Sequence, residues 1–198
     1  LNPSQVCDEV VAAWRRGPNP GRGKHTGPAT ASESESPYCP GAGASFVVET
    51  ASQSYPVFVG WGLLSDLGRR MQQVGLSGAV HVIGDENVFS IYGSRVKDAL
   101  QQAGFAVDSM TVPSGEASKS LETASRLYDW LVEARAERGH AIVSLGGGMV
   151  GDLAGFVAAT FLRGMPLVHV PTSLLSMADA GIGGKVAVNH AKGKNLIG

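Results

Sequence analysis

The chain has 198 residues, a formal net charge of −1 and a hydrophobic content of 43%. A net charge this close to zero does not indicate a basic surface that would bind nucleic acid. The apolar runs are far shorter than the roughly 20 residues that cross a bilayer. We therefore expect a soluble, cytoplasmic protein with one sizeable core and with no nucleic-acid or membrane partner. The two cysteines, Cys7 and Cys39, lack the spacing of a disulfide framework or a zinc knuckle.

The first 44 residues predict a helix and then a linker. Asn2 can cap a helix, Pro3 suits its first position, and apolar residues recur every four positions over residues 2–16. Residues 17–44 contain 14 Gly, Pro or Ser, and a segment of this composition cannot bury enough apolar surface to fold. Because the chain starts without Met and stops in an apolar run, we expect a fragment. Its expected parts are the helical end of an upstream domain (1–16), a flexible linker (17–44) and an α/β domain truncated at its C-terminal end (45–198).

Strand patterns alternate with helical patterns after the linker. Strands are predicted at 46–49, 57–60, 79–84, 105–112, 141–145 and 167–170, and helices at 119–138, 150–162 and 172–180. This alternation predicts an α/β, Rossmann-like fold with a mostly parallel sheet and helices on both faces. His81 and His169 fall within predicted strands, where a satisfied core imidazole is expected, and no complete metal site is visible.

A glycine turn follows the strand predicted at 141–145 and opens a helix. Gly146, Gly148 and Gly151 fit the G-x-G-x-x-G pattern, and backbone amides at such a turn can approach a phosphate closely. Nucleotide binding is therefore the first hypothesis, although such turns also occur for packing reasons. The usual fingerprint adds an acid about 20 residues downstream, and none lies there, which disfavours an ordinary Rossmann dehydrogenase.

A dense polar set follows the glycine turn and suits an anionic ligand. A short helix capped by Thr172 would place Asp179 at its C-terminal end, where a carboxylate opposes the helix dipole. Lys185 follows two glycines, so its ammonium group could meet a phosphate. The alternative is a surface turn with solvated lysines. The set comprises Arg163, Thr172, Ser173, Asp179, Gly183, Gly184, Lys185, Asn189, Lys192, Lys194 and Asn195.

Several motifs in matching order resemble the 3-dehydroquinate synthase family. They are GGGMVGDLAGFVA at 146–158, FLRG at 161–164, VPTSLL at 170–175, DAGIGGK at 179–185 and GKN at 193–195. The resemblance covers residues 45–198, weakly before Gly84 and strongly after Ala141.

This resemblance implies an enzyme of the shikimate pathway. It would convert 3-deoxy-D-arabino-heptulosonate 7-phosphate to 3-dehydroquinate and phosphate, and NAD would be reduced and reoxidised within each turnover. It further implies a homodimer and a divalent metal, zinc or cobalt, whose glutamate and histidine ligands lie beyond Gly198 in a helical domain. The fragment alone is expected to be inactive.

The resemblance also assigns site residues. At the substrate, Asp179 would lie at the reacting hydroxyls, Lys185 and Asn195 near the phosphate, and Arg163 would reach the phosphate from the neighbouring subunit. Asp85 and Glu116 also have a simpler interpretation, as residues at the start of a helix. The implied NAD contacts are Asp85, Asn87, Ser114, Gly115, Glu116, Ala117, Ser118, Lys119, Gly147, Gly148, Met149, Val150, Gly151, Asp152, Thr172, Ser173, Lys185 and Lys194.

Two departures from the family pattern bear on the substrate. Ala180 and Gly181 stand where the family commonly has two serines, and Val186-Ala187 stands where Thr-Gly is frequent. Related sugar-phosphate cyclases vary in this region, but the retained Gly-Gly-Lys favours dehydroquinate. The alternatives are another sugar-phosphate cyclase, a metal-dependent alcohol or polyol dehydrogenase of the same architecture, and a non-catalytic nucleotide-binding fragment.

Overall fold

The computed structural model describes residues 10–14 by their backbone, and residues 46–49 and 54–198 in full. The strands are β1 Val10–Trp14, β2 Phe46–Glu49, β3 Ser54–Val59, β4 Ala79–Asp85, β5 Ala106–Val112, β6 Ala141–Gly146, β7 Leu167–Pro171, β8 Val188–His190 and β9 Gly193–Ile197. The helices are α1 Leu67–Gln73, α2 Glu86–Gln102, α3 Leu121–Glu133, α4 Gly148–Thr160 and α5 Leu174–Ala178.

Seven strands form one mixed sheet in the order β2-β3-β1-β7-β6-β4-β5. β4 pairs in parallel with both β5 and β6, and β6 pairs in parallel with β7. β1, β2 and β3 are antiparallel to their neighbours. The predicted Rossmann-like α/β fold is confirmed, with an antiparallel part at one edge of the sheet.

Alternating side chains of the parallel strands build a core on each face of the sheet. Along β4, Val82 packs in the cluster that contains Leu67 and Leu100 from α1 and α2, whereas Ile83 packs in the cluster of α3 and α4. This period of two is what a strand buried on both faces requires. Each fully buried Leu or Ile stabilises the fold by about 2 kcal/mol before chain entropy is counted.

The chain changes direction across the sheet between β4 and β6. From β4 the chain leads through α2 to β5 on one side, then through α3 to β6 on the other side of β4. Gly84 pairs with Leu145, so the carboxyl ends of β4 and β6 lie side by side. In open α/β sheets such a switch point leaves a crevice where ligands bind.

The helix predicted over residues 2–16 is wrong at Val10–Trp14, which is strand β1. Two adjacent valines favour an extended backbone, and the position between β3 and β7 supplies hydrogen-bonding partners on both sides. Val11 pairs with Phe58 and Ala13 with Val168. Residues 2–9 and 15–16, and the linker predicted at 17–44, lie outside the described residues.

The other predicted elements are confirmed, with shifted ends. α3 begins at Leu121 because the Ser120 hydroxyl caps it, and α4 begins at Gly148, two residues before the predicted start. The cap of α5 is Ser173, whose hydroxyl accepts from the Ser176 amide at 3.3 Å, and not Thr172 as predicted. Among the described residues, no helix has the length and apolar character needed to cross a membrane.

Candidate active site

The glycine turn lies at the switch point, between β6 and α4. Gly147 is the N-cap of α4 and brings no side chain to cap it, so the first amides of this helix face the crevice side of the turn. A Cβ on Gly148 would have its nearest heavy atom 4.0 Å away, whereas one on Gly146 would lie 2.9 Å from Val150. Packing therefore requires glycine at 146, while at 148 glycine keeps the backbone accessible.

Asp85 is an acidic residue beside the glycine turn, at the end of β4. It ends β4, is only 9% exposed, and its Oδ1 accepts from the Val88 amide and the Ser114 hydroxyl, each at 2.9 Å. Its Oδ2 lies 3.3 Å from where a Cβ on Gly146 would be. Asp85 is therefore a helix cap, as the simpler interpretation held, and it also borders the glycine turn.

Lys119 is a buried cation at the same edge of the sheet. It is 3% exposed, and its ammonium group contacts the Asp152 carboxylate and Oδ1 of Asn195. These partners come from the second turn of α4 and from β9. Because a buried charge needs a partner, this cluster fixes three predicted site residues together.

The loop from β5 to α3 carries the predicted second set of NAD contacts, Ser114 to Lys119. Gly115 has a φ of 110°, which glycine tolerates, and a short 3-10 turn follows at Glu116–Ser118. The Glu116 carboxylate accepts from the Asn189 side-chain amide at 2.8 Å. Glu116 thus starts this short turn rather than α3, and Asn189, for which no individual role was predicted, joins the site.

Asp179 and Lys185 form an exposed ion pair. Lys185 Nζ lies 2.6 Å from Asp179 Oδ1, with side-chain exposures of 68% and 53%. The hydrogen bond to Asp179 raises the pKa of the Lys185 ammonium group, so this side chain is protonated at neutral pH. Asp179 follows the last residue of α5, as predicted for the end of that helix.

Four other predicted residues lie on neighbouring elements. Asn87 is an exposed residue in the first turn of α2, and Lys194 is an exposed residue of β9. The Thr172 amide donates to the Gly146 carbonyl at 3.0 Å, which holds the end of β7 against the glycine turn. Val150 is fully buried, so only its backbone can meet a ligand.

Arg163 lies at the opposite end of α4 from the glycine turn. α4 has 13 residues, so the helix separates the two ends by about 20 Å. Leu162 and Arg163 have φ values of 50° and 65°, a strained backbone for residues with side chains. Arg163 and the glycine turn therefore lie at opposite ends of one helix.

Two buried histidines differ from the expectation of satisfied core imidazoles. His169 Nδ1 shares a 2.8 Å hydrogen bond with the Ser144 hydroxyl beneath α4, and burial lowers the pKa of His169 to about 4. The Nε2 atom of His169 and the Nδ1 atom of His81 have no hydrogen-bond partner within the described structure. Their position in strands was predictable, but their unpaired nitrogens depend on tertiary packing.

Over residues 46–49 and 54–198, no group of three or more His, Cys, Asp or Glu could hold a metal ion.

The chain is similar in sequence to known 3-dehydroquinate synthases. Residues 109–198 match a family model described as 3-dehydroquinate synthase N-terminal. Curated relatives named 3-dehydroquinate synthase include those of Symbiobacterium thermophilum, 49% identical over 152 residues, and Desulforamulus reducens, 45% identical over 151 residues. Each alignment covers 76% of this chain but 42% of the relative, so the chain spans less than half the length of these relatives.

Two solved structures share the fold at 30% sequence identity. A 2-deoxy-scyllo-inosose synthase complexed with carbaglucose-6-phosphate, NAD+ and Co2+ aligns with a TM-score of 0.64, over 69% of this chain and 37% of that one. A 2-epi-5-epi-valiolone synthase from Streptomyces hygroscopicus with NAD+ and Zn2+ bound aligns with a TM-score of 0.59, over 63% and 35%. Residues 109–198 thus match the N-terminal part of the 3-dehydroquinate synthase family, and 76% of the chain aligns with curated proteins of that name.

Proposed function

We propose that this chain is the NAD-binding part of a 3-dehydroquinate synthase, which converts 3-deoxy-D-arabino-heptulosonate 7-phosphate to 3-dehydroquinate and phosphate. One observation carries the proposal: the glycine turn, Asp85 and the Lys119 cluster meet at the switch point of the sheet. The 44–49% identity to curated relatives of that name supports it.

The residues at the crevice fit a dinucleotide. The uncapped N-terminus of α4 offers amides to a diphosphate, and the space in front of Gly148 allows close approach. Asp85, at the end of the adjacent strand, can accept hydrogen bonds from ribose hydroxyls. The binding roles of the other predicted contacts, from Asn87 to Lys194, remain part of this proposal. NAD, when bound, supplies the acceptor and later the donor of the hydride in a transient oxidation.

The exposed ion pair fits the phosphorylated substrate. In the structure, Asp179 and Lys185 neutralise each other. An arriving phosphate monoester offers Lys185 a more highly charged partner and frees the Asp179 carboxylate to accept from a substrate hydroxyl. Lys185 then stabilises the phosphate as it departs, and Asn195 adds an amide beside it. Through this exchange of partners, Asp179 becomes available to accept a hydrogen bond only when the phosphorylated substrate has bound.

Three further features of the enzyme belong to the proposal. A divalent metal, zinc or cobalt, would be held by residues outside this chain, so the chain alone would be inactive. Arg163 would act on the phosphate of a partner subunit in a homodimer, consistent with its distance from the glycine turn on its own chain. The enzyme would work in the cytoplasm. The boundary at residue 44 likewise remains proposed, whereas Val10–Trp14 is a strand of this sheet and not the end of an upstream domain.

The test is an assay of the natural polypeptide that contains this chain, with NAD, zinc and 3-deoxy-D-arabino-heptulosonate 7-phosphate. We expect phosphate release with no net accumulation of NADH. Accumulating NADH without phosphate would favour an alcohol or polyol dehydrogenase. Turnover of glucose 6-phosphate instead would indicate an inosose-forming cyclase, and failure to bind any substrate would leave a nucleotide-binding module.

A further inference from the structure

Asn189 lies where the loop after β5 meets the β8–β9 hairpin. Its backbone amide donates to the Lys119 carbonyl at 2.9 Å, and its side-chain amide donates to Glu116 Oε1 at 2.8 Å. Its Oδ1 accepts from the Asn195 backbone amide at 2.9 Å. One residue therefore holds a loop on the proposed nucleotide side and a strand on the proposed substrate side.

These bonds close a ring with the buried cation. Lys119 reaches Asn195 through its ammonium group, and Asn189 reaches both Lys119 and Asn195 through the hydrogen bonds above. Asn195 has a φ of 56°, a left-handed conformation that needs support from its surroundings. The bond from its amide to Asn189 is such a support.

Only an amide side chain of this length satisfies both neighbours. Asn189 must donate to the Glu116 carboxylate and accept from the Asn195 amide. An aspartate would still accept from Asn195, but it would set a second carboxylate against Glu116. An alanine would make neither bond.

We propose that Asn189 is a positioning residue that fixes the Glu116–Lys119 loop relative to Asn195, and thereby sets the spacing between the bound NAD and the substrate phosphate. The inference rests on the proposed function for its ligands, but the clamp itself is a property of this chain. It identifies the β8–β9 hairpin as the connection between the two halves of the site.

The test is a double-mutant cycle in the natural polypeptide, with Asn189→Asp and Glu116→Gln. In the Glu116→Gln variant, the glutamine side-chain oxygen can accept the hydrogen bond from Asn189. In the double variant, the glutamine NH2 group can donate to the new aspartate at position 189. The double variant therefore keeps a hydrogen bond between the two positions, with donor and acceptor exchanged. We expect Asn189→Asp alone to weaken NAD binding, measured calorimetrically, by about tenfold. In the Glu116→Gln background, the same change should cost less than about threefold. Equal losses in both backgrounds would overturn the proposal.

Hydrogen exchange at the Asn195 amide separates the second bond from the first. Asn189→Asp keeps this amide protected, since Oδ1 still accepts, whereas Asn189→Ala exposes it to exchange. An unchanged exchange rate in Asn189→Ala contradicts the clamp, provided that the unfolding midpoint of the variant matches that of the unmodified protein within experimental error. If the unmodified protein does not bind NAD, the proposed function fails, yet this exchange experiment still decides the clamp.

Discussion

The two sides of the site are built differently. The proposed nucleotide side consists of backbone at the end of β6 and the start of α4, two elements that are mostly buried. The proposed substrate side consists of side chains on short segments, where Asp179, Lys185 and Asn195 are exposed. The first kind of site is preorganised by the core, and the second depends on a few polar contacts. Substitutions on the nucleotide side should therefore affect stability, and those on the substrate side should affect chemistry.

The largest effect is expected for Lys185→Ala. Removing the ammonium group that stabilises the departing phosphate should slow phosphate release by about 10³-fold, the range found when one preorganised donor is lost. Because Lys185 is exposed and is only one of the predicted NAD contacts, NAD should still bind to the variant. Unchanged turnover in a phosphate-release assay would remove Lys185 from the mechanism.

Lys119→Met should have the largest effect on stability. The substitution leaves Asp152 without its buried cationic partner, and breaking a buried pair typically costs about 3 kcal/mol or more. Urea unfolding measures the difference. Lys185→Met is the matched control, because it breaks an exposed pair that water screens, and it should lower the free energy of unfolding much less than Lys119→Met does. Equal costs at the two positions would contradict the contrast between the two sides.

His169 should make stability depend on acidity. Its pKa falls from 6.5 to about 4 on folding, so below pH 6.5 the unfolded chain binds a proton that the folded chain does not. Stability is therefore complete above pH 6.5 and is lost as the pH falls toward 4, by up to about 3 kcal/mol. In His169→Gln, whose side-chain amide can still form a hydrogen bond with the Ser144 hydroxyl, this part of the pH dependence should vanish from urea titrations.

Two alanine substitutions separate the two kinds of glycine in the turn. Gly146→Ala forces a methyl group against Val150 and should destabilise the fold by about 1–3 kcal/mol. Gly148→Ala meets only the Ala180 methyl group at an ordinary contact distance and lies in a helix, so it should keep or slightly raise stability while it weakens NAD binding by about tenfold. If Gly148→Ala binds NAD normally, the diphosphate does not lie against this amide.

The sequence was most informative where one local cause decides the structure. Buried apolar runs predicted the strands that surround the switch point, and the glycine turn predicted the start of α4 to within two residues. Val10–Trp14 was mispredicted because an apolar spacing compatible with a helix was overridden by partners more than 40 residues away. The hydrogen bond from Asn189 to Glu116 was likewise not predictable, since the two residues are 73 positions apart in sequence.

α4 runs without interruption from Gly148 to Thr160, and its side chains are mostly buried. It therefore joins the glycine turn rigidly to the strained Leu162–Arg163 corner. If NAD binds at the turn as proposed, a displacement there would be transmitted along the helix to that corner. In the proposed homodimer, NAD binding to one subunit would then adjust the position of the arginine that it offers to the other.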